Sequence, residues 1–139
     1  MGANSSIGID IDEDSIRLAN AVKDKLKVDG VDFIVCDICD FNEPLNADTV
    51  FQNPPFGSQR KADSGQDLKF LKKAVQLDPE VIYSFHMAST EEFLIKYYED
   101  NSLDITHIFR YKFPIPRIYD FHTKEKRDVD VIVLRACLK

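Results

Sequence analysis

The run TVFQNPPFG, residues 49 to 57, places the tightest constraint on how this chain can fold. An apolar strand meets Asn53 and then two prolines. Pro54 and Pro55 have no backbone N–H and a fixed φ, and Pro54 drives Asn53 out of the helical region, so a sheet ladder must stop there. The carbonyl oxygens that remain are free to accept a hydrogen bond from something other than a neighbouring strand.

Around that corner the chain alternates between two periodicities. SSIGIDID reads as a buried strand, and Asp12 can cap the helix EDSIRLANAVKDKLK, whose Ile16, Ala19, Val22 and Leu26 share one face. VDFIVCDI is a second strand and ADTVFQN a third. The polar loop GSQRKADSG leads into the helix QDLKFLKKAVQL, closed by Asp78-Pro79. EVIYSFH is the next strand, and STEEFLIKYYED the next helix, with Ser89 or Thr90 as its cap. LDITHIFRYKF and DVDVIVLRACL are two closing strands. Strand-helix alternation followed by two late strands predicts an α/β sandwich with a mostly parallel sheet and an antiparallel end. The ligand of such a sheet sits beyond the carboxyl ends of its strands.

At 139 residues, 44% of them hydrophobic, the chain has the size of one domain with a true core. No apolar run approaches the roughly 20 residues needed to cross a bilayer, so no membrane partner is expected. MGANSS lacks the basic flank and apolar core of a secretory signal, and a cytoplasmic location is expected. Cys36, Cys39 and Cys137 are then reduced thiols. CDIC has metal-like spacing without a second pair, so packing rather than a metal site is the reading.

The net charge of −6 argues against a general polyanion binder. Its distribution qualifies this. RYKFPIPRIYDFHTKEKR, residues 110 to 127, carries +4 and leaves −10 for the rest. Tyr111, Phe113, Tyr119, Phe121 and His122 are interleaved with its cations, a mixture that can hold phosphates while stacking bases. The plainer alternative is a solvated, proline-broken loop whose aromatics turn inward.

Three polar residues end successive strands: Asp10, Asp37 and Asn53. An acid after a strand of a dinucleotide fold accepts from ribose hydroxyls, and an acid one strand over can reach an adenine amino group. Each also has a purely structural reading, Asp10 as a cap and Asp37 as a turn former. Ser84 and His86 end a strand near the same rim, where a capping serine and a satisfied core histidine account for them. His107 reads as a surface strand residue.

GIDIDEDSIRLA, VCDICDF and TVFQNPPFGSQRKADSGQDLKFLKKAV resemble the S-adenosylmethionine-dependent N6-adenine methyltransferases, whose signature is an acidic, amide or serine residue followed by Pro-Pro and an aromatic. With IYSFHMAST and RYKFPIPRIYDFHTKEKRDVDV in the same order, the chain resembles most the small-subunit rRNA N6-adenosine methyltransferases of archaea and eukaryotes, the methyltransferase-like protein five type. The resemblance runs from residue 6 to residue 136. It implies one class I, Rossmann-like methyltransferase domain over residues 1–139, with S-adenosyl-L-methionine as cofactor and RNA, in particular rRNA, as substrate.

The same resemblance assigns roles. The Asn53 side-chain oxygen and the Pro54 carbonyl would accept the two N6 hydrogens, with Pro55 stiffening the corner and Phe56 stacking on the extruded base. No general base is required, since the amine sheds its proton readily once methylated. Asp10 would hold the cofactor ribose and Asp37 its adenine, with Ile38 as apolar neighbour and Asn53 at the cofactor's edge. Arg110, Lys112, Tyr119, Phe121, His122 and Lys124 would contact RNA. The edge strand VDFIVCDI would pair with a small zinc-binding activator protein by strand addition.

The family's first strand, with its glycine-rich turn, and a preceding helical region lie upstream of the segment that GANSSIGIDID resembles. In the family order 3-2-1-4-5-7-6 that strand is central, so a break is expected between the GIDID and VFQN strands, with weak cofactor binding and little turnover by the 139-residue chain. Other readings of the same motifs are a noncatalytic RNA-binding or scaffold module derived from such an enzyme, and a methyltransferase acting on DNA adenine or protein glutamine.

Overall fold

The computed structural model describes residues 2–55, 66–114 and 128–139, and within them the chain forms two compact units, Met1–Glu43 and Pro44–Lys139. In the first, strand β1 (Ser6–Asp10) leads through helix α1 (Glu13–Leu26) to β2 (Val31–Val35), and the two strands pair in parallel, Ser6 opposite Val31 and Asp10 opposite Val35. Gly8 makes room for a neighbouring ring in this pairing. It lies opposite Phe33, and a Cβ at Gly8 would stand 2.7 Å from Phe33 Cδ1, so the ring occupies the space a side chain would fill.

Helix α1 begins where the sequence places its cap. Asp12 is extended, its Oδ1 accepts from the Asp14 amide at 3.2 Å, and its Oδ2 accepts from the Ser15 hydroxyl at 2.6 Å. The helix ends at Lys27 in the left-handed conformation, closed by backbone bonds back to Lys23 and Asp24. Its expected apolar face is covered only in part: Ile16 is buried, whereas Val22 and Leu26 remain exposed. A two-stranded ribbon is narrower than an apolar helix face of four turns, so the far end of that face is left in solvent within this unit.

The second unit is a four-stranded sheet in the order β3-β4-β6-β5, formed by β3 (Thr49–Gln52), β4 (Val81–Met87), β5 (Leu103–Pro114) and β6 (Asp128–Leu138). β3 and β4 are parallel, and β6 runs against both β4 and β5. The sheet is mixed rather than mostly parallel, with one parallel pair and an antiparallel end of two pairs, within the expected α/β architecture. No strand pairs β1 with β3 among the described residues.

Helices α2 (Gln66–Gln76) and α3 (Glu91–Asp100) cover one face of this sheet, with Leu71, Ala74, Leu94 and Tyr98 packing on Ile82, Ile132, Leu134 and Ala136. Asp78, two residues past the end of α2, takes a positive φ of 50°, which turns the chain into Pro79 and β4. Burial along β4 alternates strictly, whereas β6 is buried at four successive residues, Val131 to Leu134. In β5 a bulge between Ile105 and His107 lets Ile105 and Ile108 both face the core. The opposite face carries exposed aromatics: Phe51, Phe109, Tyr111 and Phe113.

Candidate active site

In the first unit two carboxylates stand at the carboxyl ends of adjacent parallel strands. Asp10 closes β1, and its backbone oxygen accepts from the Cys36 amide at 2.9 Å, so Asp37 follows one residue beyond the last rung of the ladder. Each carboxylate is oriented by its own loop. Asp10 Oδ1 accepts from the Asp12 amide at 2.9 Å, and Asp37 Oδ1 accepts from the Cys39 amide at 2.8 Å. Among the described residues the second oxygen of each has no protein donor, which leaves two aimed acceptors on one rim. Ile38 is half-buried beside them. The Asp37 turn is tightened further by Asp40 and Phe41 amides donating to its backbone oxygen at 2.9 and 3.1 Å. Asp37 is the turn former the sequence suggests, whereas Asp10 does not cap α1, a role Asp12 takes, and instead accepts from the Asp12 amide.

In the second unit β3 pairs with β4 up to Gln52, opposite Ser84, and there the ladder stops before Asn53 and the two prolines. Asn53 is exposed, Pro54 is fully buried, and Pro55 is exposed. Burial of Pro54 pins the corner to the core while the residue before it stays in solvent. Among the described residues the Asn53 side chain makes no hydrogen bond, so its amide oxygen is uncommitted. Phe56 lies outside the described residues, as do Tyr119, Phe121, His122 and Lys124. Of the residues assigned to RNA, Lys112 is exposed on β5. Arg110 is engaged in an ion pair with Glu91 of α3. His107 is exposed on β5 and stacks on Phe109, ring centroids 5.8 Å apart.

A buried polar line lies behind the corner, in which His86 is the satisfied core histidine the sequence suggests, while Gln52 and Tyr98 were not foreseen. Gln52 Nε2 donates to Ser84 Oγ at 2.8 Å, Ser84 Oγ lies 2.5 Å from His86 Nε2, and the Tyr98 hydroxyl stands 3.5 Å from the same nitrogen. His86 is only 2% exposed, and Ser84 lies within β4 rather than capping a helix. The signal that could have found this line is the glutamine itself, a polar residue on the core side of an apolar strand. Also unforeseen is a row across the other sheet face. Phe51 stacks on Tyr83 at 4.8 Å, and Arg135 lies over the same Tyr83 ring, its Nε donating to the tyrosine oxygen at 3.2 Å. That bond raises the guanidinium pKa still further, so Arg135 is a fixed cation.

Parallel strands crossed over by helices, with acceptors at their carboxyl ends and an antiparallel final pair, place the chain among class I, Rossmann-like methyltransferase folds. PH1948 of Pyrococcus horikoshii, described as a candidate RNA methyltransferase, superposes with a TM-score of 0.80 at 29% identity, over 99% of this chain and 65% of that one. The sequence profile of a methyltransferase domain matches residues 1–102, and the chain belongs to that family. A methyltransferase domain of this class implies S-adenosylmethionine as the methyl donor. Protein MJ0284 of Methanocaldococcus jannaschii is 43% identical over 97% of this chain. The rRNA N(6)-adenosine-methyltransferase METTL5 of Danio rerio is 30% identical, again over 97% of it. The chain spans 64% and 65% of the lengths of these two relatives.

Proposed function

We propose that residues 1–139 are one methyltransferase domain, or the greater part of one, that transfers a methyl group from S-adenosylmethionine to the N6 amine of an adenosine in RNA, and that the RNA is small-subunit rRNA. The observation that carries this reading is the corner at the end of β3, an uncommitted Asn53 amide in front of a buried Pro54. Similarity to the zebrafish rRNA N(6)-adenosine-methyltransferase supports the choice of base and of RNA. The methyltransferase profile runs through the first compact unit and into the second, to residue 102, which supports a single domain.

The donor set fits the cofactor. A ribose offers two hydroxyl donors and an adenine an amino donor, and Asp10 and Asp37 offer acceptors from adjacent strand ends. Asp10 would take the ribose and Asp37 the adenine, with Ile38 against the ring and Asn53 at the methyl-bearing end. S-adenosylmethionine, when bound, supplies an electrophilic methyl carbon. The chain's part is to make a poor nucleophile attack it. The adenine N6 lone pair is delocalised into the ring, and two acceptors on its hydrogens rotate that pair out of conjugation and stabilise the charge that grows on nitrogen. Asn53 Oδ1 and the Pro54 carbonyl are those acceptors. Pro55 prevents either from being recruited to a ladder, and Phe56 stacks on the base. The excess proton leaves to solvent, so no side-chain base is assigned.

Arg110, Lys112, Tyr119, Phe121, His122 and Lys124 are proposed to meet the RNA, with Arg110 exchanging Glu91 for a phosphate. A small zinc-binding activator protein is proposed to add a strand to the free edge of β2, where Val35 is exposed. The setting of this activity is proposed to be the cytoplasm. Deleting the gene and measuring N6-methyladenosine in the small-subunit RNA by mass spectrometry tests the assignment. Loss of one modified nucleoside is expected, and unchanged N6-methyladenosine would remove the ribosomal reading. Asp10→Ala should raise the cofactor dissociation constant about tenfold in calorimetry, the loss of one charged hydrogen bond, in a chain that remains folded.

A further inference from the structure

The strand that ends at Asn53 has a weak anchor in the sheet itself. Its last rung is Gln52 opposite Ser84, and beyond it the two prolines donate no backbone N–H. A four-residue strand stopped in this way is expected to fray at the end where the reaction needs it still. Behind that end lies the buried polar line of Gln52, Ser84, His86 and Tyr98, drawn from β3, β4 and α3 and set among Ile82, Leu94, Ile132 and Leu134. An apolar core would accept aliphatic side chains at these positions with no polar group to satisfy. Directional bonds there hold one orientation, which aliphatic contacts do not.

The Gln52 amide donates to the Ser84 oxygen, which keeps one hydrogen to donate and a second lone pair to accept. Its contact with His86 Nε2 therefore runs in one of two senses, set by the imidazole tautomer. With Ser84 donating, Nε2 carries no proton and Nδ1 does. We propose that Gln52, Ser84 and His86 act together as a brace that fixes the Gln52 peptide and so aims Asn53 at the amino group, with His86 as a positioning residue in its Nδ1–H form. This rests on the reading of Asn53 as the acceptor of the adenine amine. The brace has no contact with substrate and is not part of the chemistry.

Nitrogen NMR of the histidine-labelled wild-type chain reads the tautomer directly. Signals for a bare Nε2 and a protonated Nδ1 on His86 near neutral pH are expected, and a protonated Nε2 would overturn the proposal. Ser84→Ala and His86→Leu should each speed exchange of the Gln52 side-chain amide and the Asn53 backbone amide about tenfold, the loss of roughly one buried hydrogen bond. Amides of Ile132 and Leu134 should keep their protection. His86→Gln, whose amide oxygen can accept near the Nε2 position, should restore slow exchange. Unchanged exchange at Gln52 and Asn53 in folded Ser84→Ala would also overturn the brace, and if that variant fails to fold the wild-type tautomer still decides. In a transfer assay Ser84→Ala is expected to lower kcat about tenfold without moving the cofactor dissociation constant. A wild type that methylates no adenosine would remove the functional reading alone, while tautomer and exchange continue to judge the brace.

Discussion

Replacing an exposed, unbonded amide changes little in a folded protein, so Asn53→Ala should shift stability by less than about 0.5 kcal/mol. Methyl transfer should nevertheless fall by about a hundredfold or more, the usual cost of one preorganised partner of transition-state charge. A melting curve beside a turnover assay separates the two, and a folded variant with near wild-type turnover would remove Asn53 from the reaction. Gly30 makes the opposite case, a residue with no chemistry and a strict backbone requirement. Its φ is +72°, and a Cβ there would lie 2.8 Å from the Asn4 carbonyl oxygen, a backbone atom that cannot swing aside. Gly30→Ala should therefore destabilise the β1–β2 pair by more than about 1 kcal/mol, read as lost amide protection in both strands. The asparagine was legible in the sequence because two prolines marked it. The glycine was not, because its need arises from the approach of residues 4 and 30.

At the scale of elements, the entry to α1 is set by charge. The Ser15 hydroxyl, and after it the Asp14 amide, hold the Asp12 carboxyl below the ordinary carboxylate range. Such a carboxyl takes its proton more readily in the unfolded chain. Its contribution is complete above the unfolded pKa, about 3.9, and is lost as pH falls through the lower folded pKa. Hydrogen exchange in the first turn of α1 should accelerate below about pH 4, whereas Asp12→Asn, still a competent cap, should lack that pH dependence. An identical acid profile in both proteins would show that the carboxylate does not set it. β6 is held by burial instead. Leu134→Ala removes a fully buried side chain from the centre of the sheet and should cost about 2–5 kcal/mol in denaturant unfolding. Both elements could be read from the sequence, one from Asp12 before an apolar period and the other from the run VIVL. The bulge in β5 could not, because Ile105, Thr106, His107 and Ile108 form an uninterrupted strand-like string, and only pairing with Ala136 and Arg135 reveals the extra residue.

For the molecule as a whole, the second unit presents two unlike sheet faces. One is filled by α2 and α3. The other carries Phe51 at 71% exposure, Tyr111 at 50% and Phe113 at 52%, a larger run of open aromatics than scattered surface residues provide. The 139-residue chain should therefore enhance the fluorescence of a naphthalene sulfonate dye, and Phe51→Ser with Phe113→Ser should reduce that signal while the core stays folded. Equal dye binding by the double variant would place the open apolar surface elsewhere.

Sequence alone determined the local and the chemical: strand and helix periods, the cap at Asp12, the stop at Pro54 and the polar residues that end strands, because each depends on a few neighbouring residues and on fixed covalent constraints. Only tertiary structure decided that Gln52, Ser84, His86 and Tyr98 meet in one buried line, that Arg135 lies over Tyr83, and that Arg110 is paired with Glu91. Those contacts join residues far apart along the chain, and their formation depends on register and burial, which no local pattern encodes.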